Sequence, residues 1–333
     1  MKKLIALVAT SAFVAGSAQA QEIDTYEPDS SWALDFGEDY CRLGREFSNG
    51  DDSVTLLLER THPNAQVRVI VIGNSVRLFR RAETIGYRWM PSGGPRMAQK
   101  LVQETGNGQQ YLNLGPSTLA DFGGGFGGPG GGAGPGAGPG AGAGAGAGFT
   151  PPAPGTPFYS RDMEVEQAGN VNGIRLTEGL TSSVQINTGS LARPIEGMQA
   201  CADDMLVYWG LDLEAHKTLS RTVVPGDGTV RTGDNGFPTN PSAGWISQNT
   251  VGFQDFVYLS GGNNEIRVMV NAQGRPTSCV VHFPSLPEST NESICEQVME
   301  NGEFLPALDA DGNAIDSYWM TNVFSLTPPF GGR

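Results

Sequence analysis

The sequence predicts an α+β protein, with a β-rich N-terminal domain and a small β-β-α-β domain near the C-terminal end. Three observations lead to this fold class. Runs of β-branched and aliphatic residues fill the first third of the chain, a Gly/Ala/Pro tract then interrupts it, and the last quarter carries strand and helix patterns in turn. We expect the first domain at 28–225, with a disordered insertion at 123–157, and the second at 245–326.

The first 20 residues have the pattern of a cleavable signal peptide. Lys2 and Lys3 form a basic start, an apolar stretch follows at 4–14, and small residues precede Gln21. The stretch is shorter than the roughly 20 residues that span a bilayer. We expect export to the periplasm with cleavage between Ala20 and Gln21, and the alternative is an uncleaved N-terminal anchor.

The net charge of the chain restricts the possible partners. The formal net charge is −14, and loss of the two N-terminal lysines leaves 19 basic against 35 acidic residues, or −16. So acidic a chain is repelled by nucleic acid and by anionic lipid. After the signal peptide, no apolar run is long enough to predict a membrane span.

The tract at 123–148 predicts an exposed, disordered excursion, because Gly-rich chain has high backbone entropy and few side chains to pack. Four cysteines in an oxidising compartment predict two disulfides, which can be paired in three ways. The economical pairing joins Cys279 to its neighbour Cys295 and leaves Cys41 to bond Cys201 across the tract. That pairing would place both flanks of the tract in one domain.

Strand patterns lie on both sides of the tract. The segments rich in β-branched and aliphatic residues are 53–59, 66–72, 74–80, 173–176 and 183–187. Trp32, Leu34 and Phe36 alternate, as residues on one buried face of a strand do. An amphipathic helix is expected at 191–209, with Cys201 on its apolar face.

The C-terminal segment predicts the order β-β-α-β. Ile266, Val268 and Val270 alternate with polar residues, which indicates a half-buried strand. The remaining predicted elements are a turn at 271–274, a strand at 276–283, a helix at 291–301 and a final strand at 315–326.

This segment resembles the C-terminal domain of the TonB energy-transducer family. The shared features are the hairpin IRVMVNAQGRPTSCVV, the helix, the block FLPALDADGNAI and the final strand, together about a quarter of the chain. Cys279 and Cys295 resemble the paired cysteines of a TonB-like subgroup. The resemblance implies a sheet that binds partners through an exposed edge strand.

The departures from the family pattern are specific. Phe283-Pro284-Ser285-Leu286-Pro287 stands where the family has Ser-Ser-Gly, and the opening Tyr-Pro is missing at 251–256. A cleaved chain also lacks the inner-membrane anchor, without which a transducer cannot draw force from its motor. The resemblance therefore implies a TonB-like module used for binding.

Candidate chemistry is sparse. His62, His216 and His282 lie at no metal-ligand spacing, so structural or solvated roles are expected. The segment 309–313 hints at a calcium loop, but its glycine and its twelfth position do not fit, and a tight turn explains it better. We expect no metal and no cofactor.

Acid–base catalysis is the other chemical possibility. Asp203 and Asp204 precede Glu214 and His216, but they lie off the apolar face of the helix, where solvent exposure explains them. The sequence has no nucleophile elbow. No catalytic residue is assigned, and the chain is not expected to be an enzyme.

A locally basic run stands out in this acidic chain. It can dock an acidic partner or a phosphate-bearing lipid head group, but a solvated strand face is the favoured interpretation. Its members are Arg77, Arg80, Arg81, Arg88, Arg96 and Lys100.

The favoured function is that of an exported binding or adaptor protein whose C-terminal sheet edge captures a segment of an envelope protein, an outer-membrane receptor being one candidate. Two alternatives are a complete or partial TonB-type energy transducer in transmembrane transport, and an unrecognised periplasmic hydrolase in residues 28–225.

Overall fold

Strands from both sides of the Gly/Ala/Pro tract pair in one sheet. The computed structural model describes residues 23–63, 65–99, 102–105, 108–119, 161–226, 231–232, 238–239, 241–247, 249–251 and 264–326. The predicted signal peptide, its cleavage site and the predicted disordered insertion lie outside the described residues.

The N-terminal part is built mainly from β-strands. Its strands are β1 (Ile23–Pro28), β2 (Ala33–Phe36), β3 (Cys41–Ser48), β4 (Ser53–Arg60), β5 (Val67–Gly73), β6 (Thr84–Met90), β7 (Arg96–Gln99), β8 (Val102–Glu104), β9 (Gln110–Ser117), β10 (Gly173–Glu178) and β11 (Ser183–Ile186). Its helices are α1 (Arg161–Asn170), α2 (Ala192–Tyr208) and α3 (Leu213–Lys217).

The sheet has the order β7-β6-β10-β11-β1-β3-β4-β5-β9-β8, and β2 also pairs with β3. Strand β1 pairs in parallel with β11 and then antiparallel with β3, so it joins two antiparallel groups of strands. Tyr87 Oη and Trp89 Nε1 each donate a hydrogen bond to Ser117 Oγ at 3.1 Å. Side chains of β6 and β9 thus meet although the two strands lie far apart in the strand order.

Helix α2 supplies one wall of the first hydrophobic core. Ile195, Met198 and Met205 are buried on the face that the sequence predicts. Cys201 on the same face bonds Cys41 at the start of β3, with the two Cα atoms 6.0 Å apart. In the chain-entropy model, a cross-link over so long a loop stabilises by about 5 kcal/mol.

The C-terminal part has β-β-α-β as the order of its main elements. These are β15 (Glu265–Val270), β16 (Pro276–His282), α4 (Glu288–Asn301) and β20 (Ser317–Asn322), which a 3₁₀ turn follows (Val323–Leu326). Two-residue strands complete it: β12 (Val224–Pro225), β13 (Arg231–Thr232), β14 (Pro238–Thr239), β17 (Phe304–Leu305), β18 (Ala307–Leu308) and β19 (Ala314–Ile315).

Strand β15 is the centre of a sheet with the order β16-β15-β20, antiparallel throughout. One face of this sheet packs with α4 around a second core, in which Ile294 and Val298 of the helix are fully buried. A disulfide between Cys279 of β16 and Cys295 of α4 links the sheet covalently to the helix. Both disulfides are the pairs expected from the sequence. Two disulfides are typical of an exported protein in an oxidising compartment.

Two sequence predictions in the N-terminal part are wrong. Residues 74–80 were expected to form a strand, but they form a loop with a single bridge from Leu78 to Leu180. The next strand after β5 is β6. Val76 is buried and Leu78 packs against the first core, so a loop anchored at alternate residues imitates a strand pattern. Phe36 is 58% exposed, because it ends the short strand β2, whose one partner among the described strands is β3.

Candidate functional site

The second face of the C-terminal sheet carries charged residues. Alternate residues of β15, beginning with Ile266, are buried in the second core. Glu265 and Arg267 therefore point to the opposite face. Arg267 is nevertheless buried, and a buried charge requires a partner because removal from water is costly.

The N-terminal part supplies these partners. The Thr61 hydroxyl donates a hydrogen bond to Glu265 Oε2 at 2.9 Å. Arg267 Nη1 lies 2.5 Å from Asp39 Oδ1, and its guanidinium carbon lies 4.0 Å from the ring centre of Trp209. We call this contact between the charged face of the C-terminal sheet and the N-terminal part the polar interface.

All three histidines of the chain lie at the polar interface, and two of them pack against Tyr318 of β20. The ring centres of His62 and His216 lie 5.7 and 6.4 Å from that of Tyr318, and Trp209 lies 5.3 Å away. His216 is fixed by contacts from Nε2 to Ser317 Oγ (2.9 Å) and from Nδ1 to the Asp212 carbonyl (2.7 Å). The sequence places these histidines far apart, and the fold brings them together.

Burial is the main cause of the altered acidity of this cluster. It lowers the pKa of His62 to about 3, and nearby Arg60 and His282 lower it further. Burial also lowers the pKa of His282 to about 4, with a further contribution from Arg267. The pKa of His216 is lowered by burial as well. The three imidazoles are therefore neutral at neutral pH.

Burial acts in the opposite sense on the acids of the same interface. It raises the pKa of Tyr318, and it raises the pKa of Glu265 against the effect of the Thr61 hydrogen bond. His62 Nδ1 and His282 Nε2 are buried with no hydrogen-bond partner among the described residues. A buried nitrogen without a hydrogen bond lowers the stability of the interface, and the positive charge of the neighbouring arginines disfavours protonation of either imidazole.

The residues considered for chemistry have partners in different parts of the fold. Within the described ranges, no group of three or more His, Cys, Asp or Glu side chains could hold a metal ion. The residues considered for acid–base work have separate partners. Asp203 pairs with Arg161 at 2.7 Å and Glu214 with Lys217 at 2.8 Å, whereas His216 belongs to the polar interface.

The outer edge of β16 is the second candidate feature. No described strand pairs with that edge, and Thr277 and Ser278 on it are exposed. A cleft of about 260 Å³ opens beside these residues, where the β15–β16 hairpin meets the turn after α2. Its lining includes Trp209, Met269 and Asp316. The exposed side chains of Val207 and Tyr208 precede Trp209 at the end of α2.

The other candidates lie elsewhere. The exposed members of the basic run are Arg77, Arg80, Arg81 and Arg88. Arg96 is half-buried and donates to Ser117 and Thr118, and Lys100 lies outside the described residues.

The segment 309–313 is a tight turn. Asp309 Oδ1 accepts the backbone N–H groups of Asp311 and Asn313 at 2.9 and 2.8 Å. A hydrogen bond from the Asn313 side chain, followed by these backbone bonds, lowers the pKa of Asp309. Its carboxylate is thus occupied by the turn, in agreement with the sequence interpretation.

Sequence reasoning missed Asp39, Thr61, Glu265 and Arg267 as interface residues. One signal was available, since Glu265 and Arg267 alternate with fully buried residues in a central strand. That pattern alone predicts a solvated face, because only the tertiary fold shows that another part of the chain covers it.

Comparison with known proteins finds no match among protein-family models, curated proteins or solved structures. None of the helices in the described segments has the length and apolar character to cross a membrane.

Proposed function

We propose that this is an exported binding or adaptor protein whose C-terminal sheet captures an extended segment of an envelope protein by strand addition at the outer edge of β16. The observation that carries the proposal is this edge, which has no partner among the described strands. An unpaired edge offers a row of backbone N–H and C=O groups to an incoming strand.

The two edges of the sheet differ in access, and the difference favours β16. On β20, Ser317 is buried under His216, and Tyr318 is packed between His62 and Trp209. On β16, the side chains near the start of the strand are exposed and border the cleft. A segment added to β16 can place an alternate side chain in that cleft, and such a contact adds specificity to the backbone bonds.

The disulfide Cys279–Cys295 fixes this edge to α4. A strand that is held in place before binding loses less conformational entropy when a partner adds to it. The polar interface has the same effect from the other side, because it holds the central strand through Arg267 and Glu265.

Photocrosslinking in the intact envelope tests the proposal. A photoreactive amino acid at Ser278 is expected to capture a discrete partner, whereas the same amino acid at the exposed Glu166 of α1 is the control. Equal capture from both positions, or none from Ser278, would contradict strand addition at β16.

Proline substitution separates backbone pairing from side-chain contact. The pairing of β15 with β16 is irregular near Thr277 but regular from Ser278 to His282, where the N–H groups of consecutive residues point in alternate directions. Of proline at Val280 and proline at Val281, one therefore removes an N–H from the outer edge and the other removes one from the pairing with β15. The variant that keeps the wild-type melting temperature is expected to lose the crosslink introduced at Ser278. Retention of that crosslink would show that the partner does not add as a strand.

A further inference from the structure

The loop Arg77–Arg81 presents an exposed aromatic side chain on a fixed backbone. Phe79 N–H donates to the Gly179 carbonyl at 2.7 Å, and Thr181 N–H donates to the Arg77 carbonyl at 2.9 Å. Leu78 bridges to Leu180 and packs against the first core. We call this segment the basic–aromatic loop.

The side chains between these anchors face solvent. Phe79 is 59% exposed, and Arg77, Arg80 and Arg81 around it are exposed as well. None of the three arginines forms an ion pair with a described carboxylate, and Arg77 Nε donates only to the Asn74 carbonyl, at 3.1 Å. A single exposed phenylalanine is ordinary, but one that an anchored loop holds among three exposed arginines has the composition of a binding surface.

The neighbouring strands extend the same surface. Arg88 of β6 and Met97 of β7 lie on the face opposite the buried Ile85 and Trp89, and Met97 is 57% exposed. Three carboxylates lie in the same region, those of the exposed Glu83 and Glu178 and that of the half-buried Asp24, which accepts a hydrogen bond from Ser182. The four exposed arginines therefore leave a small surplus of positive charge.

We propose that the basic–aromatic loop docks this protein onto a bilayer surface that contains anionic phospholipid, with Phe79 at the level of the head groups. Guanidinium groups match phosphate in charge and in hydrogen-bond geometry. An aromatic side chain between them adds an apolar contact with the bilayer, which a soluble anion cannot provide.

The negative net charge of the chain does not prevent this contact. At physiological ionic strength, interactions between exposed charges are largely screened beyond about 8 Å. The surface within that range of the bilayer is the positive one, and the acidic residues on the rest of the molecule are screened from the lipid. Each arginine near an anionic surface is expected to strengthen binding about fivefold.

Vesicle flotation of the purified full-length protein tests the proposal. Binding is expected to phosphatidylcholine vesicles that contain phosphatidylglycerol, to be weak to pure phosphatidylcholine, and to decrease with added salt. The double variant Arg80→Ser/Arg81→Ser should bind roughly 25-fold more weakly, at two arginines of about fivefold each. Phe79→Ser should bind about tenfold more weakly, for the lost apolar contact.

The matched controls are exposed residues on other surfaces. Arg193→Ser/Arg275→Ser removes the same charge, and Phe36→Ser removes an equally exposed phenylalanine, so both should bind as the wild type does. The proposal is overturned if the controls weaken binding as much as the loop variants, or if pure phosphatidylcholine binds equally well. It is also overturned if soluble polyphosphate binds to the loop while vesicles do not.

Discussion

The two faces of the C-terminal sheet are covered in different ways. One face packs with α4 through aliphatic side chains such as Val268 and Ile294, and a disulfide closes it. The other face meets the N-terminal part through Glu265, Arg267 and three neutral histidines. Both layers bury β15, but only one of them depends on the protonation state of its groups.

This difference separates a permanent contact from a conditional one. The free energy that apolar burial contributes to stability is proportional to the buried area and does not depend on pH. A contact built from buried imidazoles and carboxylates weakens when its groups gain or lose protons. The polar interface can therefore open under conditions that leave the α4 layer intact, and it lies beside the edge that we propose as the binding site.

The largest effect of a single substitution is expected on the apolar face. Ile294→Ala removes a fully buried side chain and leaves a cavity, which should lower the free energy of unfolding by about 4 kcal/mol. The exposed Glu296→Ala on the same helix should change it by less than about 0.5 kcal/mol. Urea unfolding followed by tryptophan fluorescence measures both, and similar losses in the two variants would contradict the assigned core.

Acidification is expected to act on the polar face. Unfolded histidine titrates near 6.5, whereas the pKa is about 3 for folded His62 and about 4 for folded His282. Below about pH 6.5 the unfolded chain binds more protons, so the free energy of unfolding should decrease, by roughly 3 kcal/mol for each histidine between pH 7 and pH 4. Glu265, whose pKa is raised, acts in the opposite direction above about pH 4.5.

The variant His62→Gln/His282→Gln provides the control for this titration. It removes both titrating groups, so it should lose most of the dependence on pH in that window, although its stability at neutral pH is also expected to fall. Unfolding curves measured at several pH values give the slope directly. A slope equal to that of the wild type would assign the acid effect to other groups.

The ion pair between Arg267 and Asp39 is expected to contribute less. Arg267→Met should lower the free energy of unfolding by about 2 kcal/mol, below the value for a fully buried pair because Asp39 is one-third exposed. A double-mutant cycle with Asp39→Asn should give a coupling of about 1 kcal/mol. Additive effects in that cycle would show that the two side chains do not interact.

The smallest expected effect concerns Thr61. Thr61→Val keeps the shape but removes the hydroxyl that donates to Glu265, which should lower the free energy of unfolding by about 1 kcal/mol. Thr61→Ser keeps the hydroxyl and should retain most of the stability. If serine is as destabilising as valine, packing rather than the hydrogen bond accounts for the effect.

The parts of the fold that follow local periodicity could be predicted from the sequence. The alternation of Ile266, Val268 and Val270 identified β15, and the spacing of Ile195, Met198 and Cys201 identified the buried face of α2. These patterns are local because each element buries its own apolar residues. Residues 74–80 were misassigned for the same reason, since Val76 and Leu78 are anchored in the core without a strand.

The polar interface could not be predicted in this way. His62, His216 and His282 have no common spacing, and they meet only because a strand end, a short helix and an edge strand come together. No local pattern distinguishes a charged strand face that water covers from one that another part of the chain covers. The β16 edge is an intermediate case, because the strand patterns predict a small sheet with exposed edges, but only the tertiary fold shows that β16 is the more accessible of its two edge strands.

Hydrogen exchange measured by mass spectrometry at about pH 7 and about pH 4, with correction for intrinsic rates, tests the difference between the two faces most directly. On acidification, peptides from the histidine-containing loop at 61–63 and from β20 should lose protection, while peptides from α4 keep theirs. Equal loss of protection in α4 and at 61–63, or none at 61–63, would contradict a conditional polar interface beside a permanent apolar one.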